Sequence, residues 1–102
     1  MEVASLESVD PRVGRLKEAL GVTAATGVMV VAVQDGQPAA EAGIRPGDLV
    51  VSIDGHEIID LESYDQVRTL LAPRRDLLSV RVKTGNMENY VSIQPRPGGL
   101  EN

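Results

Sequence analysis

Between Gly27 and Gly55 the chain sets two β-branched apolar runs among clusters of turn formers, and this punctuation leaves few folds open to it. Val28-Met29-Val30-Val31-Ala32-Val33 has no polar residue for six positions and reads as a buried strand, bounded by Asp35-Gly36-Gln37-Pro38. Pro38 to Gly43 follows as a very short helix, begun by a proline whose φ is preset and stopped by a glycine. After the turn Arg45-Pro46-Gly47-Asp48 comes the strand Leu49 to Ile53, turned at Asp54-Gly55. Ile58-Ile59 adds a brief extended segment.

The flanks supply helices. Asp10 is placed to cap the free amides of a first turn and Pro11 to open it, while Val13, Leu16 and Leu20 form one apolar stripe up to Gly21. A helix is therefore expected over Pro11–Leu20. A second is expected over Leu61–Leu71, with Asp60 as its cap, Leu61, Tyr64, Val67, Leu70 and Leu71 on one broad face, and Pro73 as its stop. Met1 to Val9 reads as a strand. Leu77 to Lys83 and Tyr90 to Gln94 alternate apolar and polar residues as two more strands, with Thr84 to Asn89 as the connection between them. This order of elements suits a small α+β domain in which helices cap an antiparallel sheet, and it does not suit a doubly wound fold. One domain over residues 1–94 is expected, with 95–102 as a flexible Pro/Gly-rich tail.

Composition narrows the function. The 102 residues include no Phe, Trp or Cys and only Tyr64 and Tyr90 as aromatics, so a core built from Val, Leu, Ile and Ala is expected, and neither a disulfide framework nor a thiolate metal site is available. The net charge is −5 but unevenly spread. Residues 1–65 carry 12 acids against 4 bases, whereas residues 66–96 carry 6 bases against 2 acids. The overall sign repels nucleic acid. The basic third, Arg68, Arg74, Arg75, Arg81, Lys83 and Arg96, reads first as a solvated face. No apolar run is long enough to span a bilayer, so direct membrane insertion is not expected.

Catalytic inventories are missing as well. The single histidine, His56, sits beside a turn with no nucleophile or base in view and reads as a polar surface residue. No nucleophile elbow, zincin helix or phosphate loop is present. Asp48, Asp54, Glu57, Asp60 and Glu62 lack the alternating spacing of a calcium loop and read as turn and cap residues. The expectation is a non-enzyme with no metal and no cofactor.

Taken together, Gly27 to Val33, Gln37-Pro38-Ala39-Ala40-Glu41-Ala42-Gly43-Ile44 and Pro46-Gly47-Asp48-Leu49 through Gly55 resemble the central signature of bacterial PDZ domains. Each piece has a physical basis. Small alanines let a one-turn helix lie close on a sheet, and Asp48 can tie its turn to backbone amides. The resemblance extends from about Val3 to Ile93. The helix at Pro11–Leu20, placed between the first strand and the Gly27 strand, is similar to that of HtrA/Deg-type serine proteases. The implied fold is a small antiparallel β-sandwich or partly open barrel of five to six strands, capped by two or three helices.

The resemblance further implies a groove in which a peptide adds as a strand between the segment Val3, Ala4, Ser5, Leu6 and the helix Leu61–Leu71. Helical spacing selects Tyr64, Arg68 and Leu71 as the row toward the ligand, leaving Val67 and Leu70 to the core, and a slight rotation of the helix would swap that assignment. The implied partners are peptide or unfolded-protein segments, C-terminal ones among them, and a parent protease domain. The implied setting is a larger exported bacterial protein in the periplasm or cell envelope. One departure stands out. The family's carboxylate-binding loop has no good counterpart: Ala19-Leu20-Gly21-Val22 lies only six residues before Val28, and Met1-Glu2-Val3-Ala4 lacks the glycine and adds an acidic side chain. Either that loop precedes residue 1, or this domain does not read free C-termini in the usual way. Two other readings remain: a docking or self-association domain that captures no carboxylate, and a stand-alone enzyme.

Overall fold

The computed structural model describes residues 1–74 and 76–95. Its elements are β1 (Glu2–Ser5), α1 (Pro11–Leu20), β2 (Val28–Ala32), α2 (Pro38–Glu41), β3 (Leu49–Ile53), β4 (His56–Glu57), α3 (Leu61–Leu71), β5 (Leu78–Thr84) and β6 (Met87–Ile93). The strands form one open antiparallel sheet in the order β1-β2-β3-β5-β6, with β4 paired to β3. Six strands and three helices match the α+β expectation. Residues 96–102, most of the expected tail, and Arg75 of the basic third lie outside the described residues.

Two apolar layers cover the sheet. Val28, Val30, Val50, Tyr64, Val67 and Leu71 belong to the larger layer, under α3, and Met29, Val31, Leu49, Leu6 and Val13 to the smaller one, under α1. Strand side chains alternate between faces, so β2 sends Val28 and Val30 one way and Met29 and Val31 the other. That is why its sequence is continuously apolar: it is buried on both faces.

The helix ends follow local chemistry. The Asp10 side chain accepts the Arg12 amide at 2.9 Å, and Gly21 closes α1. At α3 the Asp60 carboxylate accepts the Ser63 amide at 2.8 Å while the Ser63 hydroxyl accepts the Asp60 amide at 3.0 Å, a reciprocal cap. The buried Asp48 accepts the Arg45 amide at 3.0 Å and the Thr84 hydroxyl at 2.7 Å, tying the turn before β3 to the end of β5.

Four expectations are corrected. The first strand stops at Ser5 rather than Val9, because serine side chains pull the chain into turns: Ser5 Oγ accepts the Glu7 amide at 3.2 Å and Ser8 Oγ the Asp10 amide at 3.1 Å. The segment after Asp54-Gly55 is strand at His56–Glu57 rather than at Ile58-Ile59, since positive φ at both turn residues returns the chain at once. The β5–β6 connection is Gly85-Asn86 alone, with Thr84 facing Met87. Gly85 at φ 60 provides the left-handed first position of that two-residue turn, and the polar Glu88 and Asn89 are tolerated because β6 is an exposed edge. Finally, Leu70 is not a core residue: 61% of it is exposed, whereas Tyr64, Val67 and Leu71 are buried. Tyr64, Val67 and Leu71 follow i, i+3, i+7 and define the buried stripe, which turns Leu70 about 100° away from its neighbour Leu71.

Candidate functional site

β1 is the terminal strand of the sheet, and among the described residues it pairs with β2 alone, in the register Val3 to Val30, Ala4 to Met29 and Ser5 to Val28. A strand paired on one side presents a row of main-chain donors and acceptors on the other. Its side chains divide as the pleat requires. Val3 packs toward the layer that holds Tyr64, Val67 and Leu71, while Ala4 and Leu6 pack under α1.

Concavities lie at both ends of this strand. At its start, Met1, Glu2, Val3, Ala32 and Gln34 line a cavity of about 380 Å³. Past its end, Ser5, Leu6 and Glu7 meet Ala25, Gly27, Ile59 and Asp60 around a cavity of about 220 Å³, which brings the end of β1 to the start of α3. The Gly27 amide donates to the Ile59 carbonyl at 2.9 Å, which ties two of the residues lining the second cavity together.

The eight residues selected from the sequence are therefore distributed as follows. Val3, Ala4 and Ser5 contribute the main chain of the sheet edge, and Leu6 follows it with its side chain buried. On α3, Tyr64 is fully buried and Val67 and Leu71 nearly so, while Arg68 is partly exposed and pairs with Asp65 at 3.3 Å. The exposed large apolar side chains at this helix and its approach are Ile59, Leu61 and Leu70. Their exposure was not legible from periodicity, because the helix carries more apolar residues than its buried stripe can hold.

The electrostatics of the edge are organised by α1. Arg12 donates to both carboxylate oxygens of Glu2, at 3.1 and 2.6 Å, and also to Asp10 at 2.8 Å. The Arg12 hydrogen bonds hold both carboxyls below their ordinary range. The Asp60 carboxyl is lowered by the Ser63 amide and then by its hydroxyl. Lys17 donates to the Leu6 carbonyl, so α1 contacts β1 near one end and the residue following it at the other. Of the segments weighed as a carboxylate loop, residues 19–22 form the end of α1 and its closing glycine, and Glu2 to Ala4 are already strand.

A small α+β module whose first strand pairs on one side among the described residues, and meets the approach to an amphipathic helix at its end, is a class of fold that several recognition domains share. The PDZ domain family matches residues 29–84. The chain belongs to that family, and its relatives are proteases of the HtrA/DegP type. It is 34% identical over 80 residues to the putative serine protease HhoB of Synechocystis, a match spanning 76% of this chain and 18% of that protein. It is 36% identical over 97 residues to a probable periplasmic serine endoprotease, DegP-like, of Chlamydia trachomatis, spanning 90% of this chain and 19% of that protein. The chain thus spans less than a fifth of the length of these curated relatives. Among solved structures, the HtrA3 PDZ domain bound to a phage-derived ligand (FGRWV) superposes with a TM-score of 0.70 at 22% identity, covering 94% of this chain and 82% of that one, a likeness of fold. The HtrA-type protease AlgW with a decapeptide superposes with a TM-score of 0.68 at 30% identity, covering 91% of this chain and 26% of that one. No helix among the described residues is long and apolar enough to cross a membrane.

Proposed function

We propose that this chain is a peptide-binding regulatory module that takes an extended segment, the C-terminal end of a polypeptide included, as an additional strand on the free edge of β1 beside α3. The observation that carries the reading is the one-sided pairing of β1, whose end meets the start of α3 across a shared cavity. Main-chain hydrogen bonds supply the affinity, and the alternate side chains of the guest turn toward the helix. On α3, exposed Leu70 beside nearly buried Val67 offers apolar contact, and Val3 contributes from the strand. The relatives support a role within a larger extracytoplasmic HtrA-type serine protease, in which residues 1–94 form the module and an adjoining protease domain supplies the catalysis.

The test is an amide-resolved NMR titration with peptides ending in an apolar residue, FGRWV among them. Shifts confined to Val3–Ser5 and Leu61–Leu71 are expected, and each N-methylated peptide amide that faces β1 should weaken binding about fivefold, from a net hydrogen-bond contribution of about 1 kcal/mol. A peptide amidated at its C-terminus separates carboxylate capture, which it weakens, from recognition of an internal segment, which it leaves alone. No response at any of these amides at millimolar peptide overturns the reading.

A further inference from the structure

Three segments distant in sequence meet beyond the end of β1: Ser5, Leu6 and Glu7, then Ala25 and Gly27 ahead of β2, then Ile59 and Asp60 ahead of α3. The cavity they share, about 220 Å³, is smaller than the roughly 300 Å³ and upward of pockets that take drug-sized ligands, and it is the size for one side chain. Its lining has two characters. Ala25, Gly27 and Ile59 give apolar contact, and Ile59 is held 50% exposed there rather than withdrawn into the core. Glu7 and Asp60, both acidic and exposed, complete the lining, one after the strand and one at the helix cap.

Asp60 is committed to charge. The Ser63 amide and hydroxyl stabilise its ionised form, and the amide occupies only one of its two carboxylate oxygens. Lys17 is directed elsewhere, donating to the Leu6 carbonyl from α1, and it does not line the cavity. An apolar wall ending in two negative charges receives an aliphatic stem that ends in a positive one. An acidic side chain would be repelled, and a neutral one would gain no ion pair.

We propose that this cavity is a subsite for a lysine or arginine side chain of the bound peptide, upstream of the residue that lies against Val3. The proposal rests on the strand-addition reading above. A guest strand that runs antiparallel to β1, as every pair in this sheet does, places earlier residues opposite Ser5 and Glu7 than opposite Val3. The subsite thereby reads a basic residue a few positions before the peptide's end.

The experiment measures the affinity of the peptides FGXWV, with X arginine, norleucine or glutamate, and of longer peptides that carry X one or two places further upstream. Binding is followed by fluorescence anisotropy and by amide shifts at Val3–Ser5. At its best position arginine should bind about three- to fivefold more tightly than norleucine, the scale of a partly exposed ion pair, and glutamate more weakly than both. The arginine-to-norleucine ratio should fall toward one in Glu7→Gln, in Asp60→Asn and in the double variant, and also near 1 M salt, where the Debye length is about 3 Å. Asn at position 60 still caps α3, so a melting curve close to that of the parent chain certifies the fold of the variant. A ratio of one at every position in the parent chain overturns the subsite while leaving strand addition standing, as does a ratio that survives in the double variant. Absence of binding by all peptides, with β1 amides unmoved, overturns both.

Discussion

Arg12 in the first turn of α1 grips Glu2 at the head of β1 by both carboxylate oxygens, at 3.1 and 2.6 Å, while the same guanidinium holds Asp10 at 2.8 Å. The helix that distinguishes this chain from a plain sheet-and-helix module is thereby tied to the edge strand, and Lys17 adds a second tie at the Leu6 carbonyl. The two contacts bracket the strand on which the proposed recognition depends.

The first prediction concerns this brace and its pH dependence. Glu2 and Asp10 titrate below their ordinary values in the folded chain, so the stabilisation they give is fully present above about pH 4 to 4.5 and is lost as the pH falls through the depressed folded values. Arg12→Met should accelerate hydrogen exchange at Val3–Ser5 at neutral pH and flatten the acid limb of a melting-temperature profile between about pH 5 and 3. An acid limb identical to that of the parent chain would show that the brace contributes nothing.

Asp48 offers a stability test away from the groove. Its carboxylate satisfies the Arg45 amide and the Thr84 hydroxyl in a buried turn. Asp48→Ala leaves both donors without that acceptor and should cost about 1–3 kcal/mol in urea unfolding. Thr84→Val added to Asp48→Ala should cost less than it does in the parent chain, because the two residues share one bond.

Adjacent leucines should behave oppositely. Leu71→Ala removes a buried side chain, 7% exposed, and should destabilise the fold by about 2–5 kcal/mol. Leu70→Ala, at a position 61% exposed, should stay within about 0.5 kcal/mol in the same denaturation experiment. Leu70→Asp should weaken peptide binding with little change in melting temperature. Equal destabilisation by Leu70→Ala and Leu71→Ala would place the helix rotation differently.

Gly47 is required by its backbone conformation. Its φ is 98°, where a side chain is strained, and a Cβ there would overlap Leu20 Cδ1 at the end of α1. Gly47→Ala should cost about 1–3 kcal/mol from backbone strain, the contact adding little because Leu20 Cδ1 ends a 42% exposed side chain that can move aside. In a Leu20→Ala background the cost should be nearly unchanged, which calorimetric melting of the four proteins checks.

Much of this fold is written locally. The bounds of α1, β3 and α3 are those expected from Asp10-Pro11 and Gly21, from the run at 49–53, and from Asp60 and the apolar period, because capping and strand patterning act between residues a few positions apart. The family resemblance is carried by Gly27 to Gly55, a stretch that forms β2, α2 and β3. The turn chemistry of Ser5 and Ser8 is local too, made of side-chain bonds to the backbone, but the apolar residues around them could equally extend a strand.

Arg12 meeting Glu2, Leu70 facing outward while Leu71 faces in, and Ser5 to Glu7 closing a cavity with Ile59 and Asp60 were not readable in that way. These depend on how α1 and α3 are rotated and seated against the sheet, and rotation is chosen by whichever stripe buries the most apolar surface without strain. Local sequence therefore determined the elements and the family they belong to. Only packing between elements decided the site, since contacts across ten to fifty residues of chain exist only once the layers have closed.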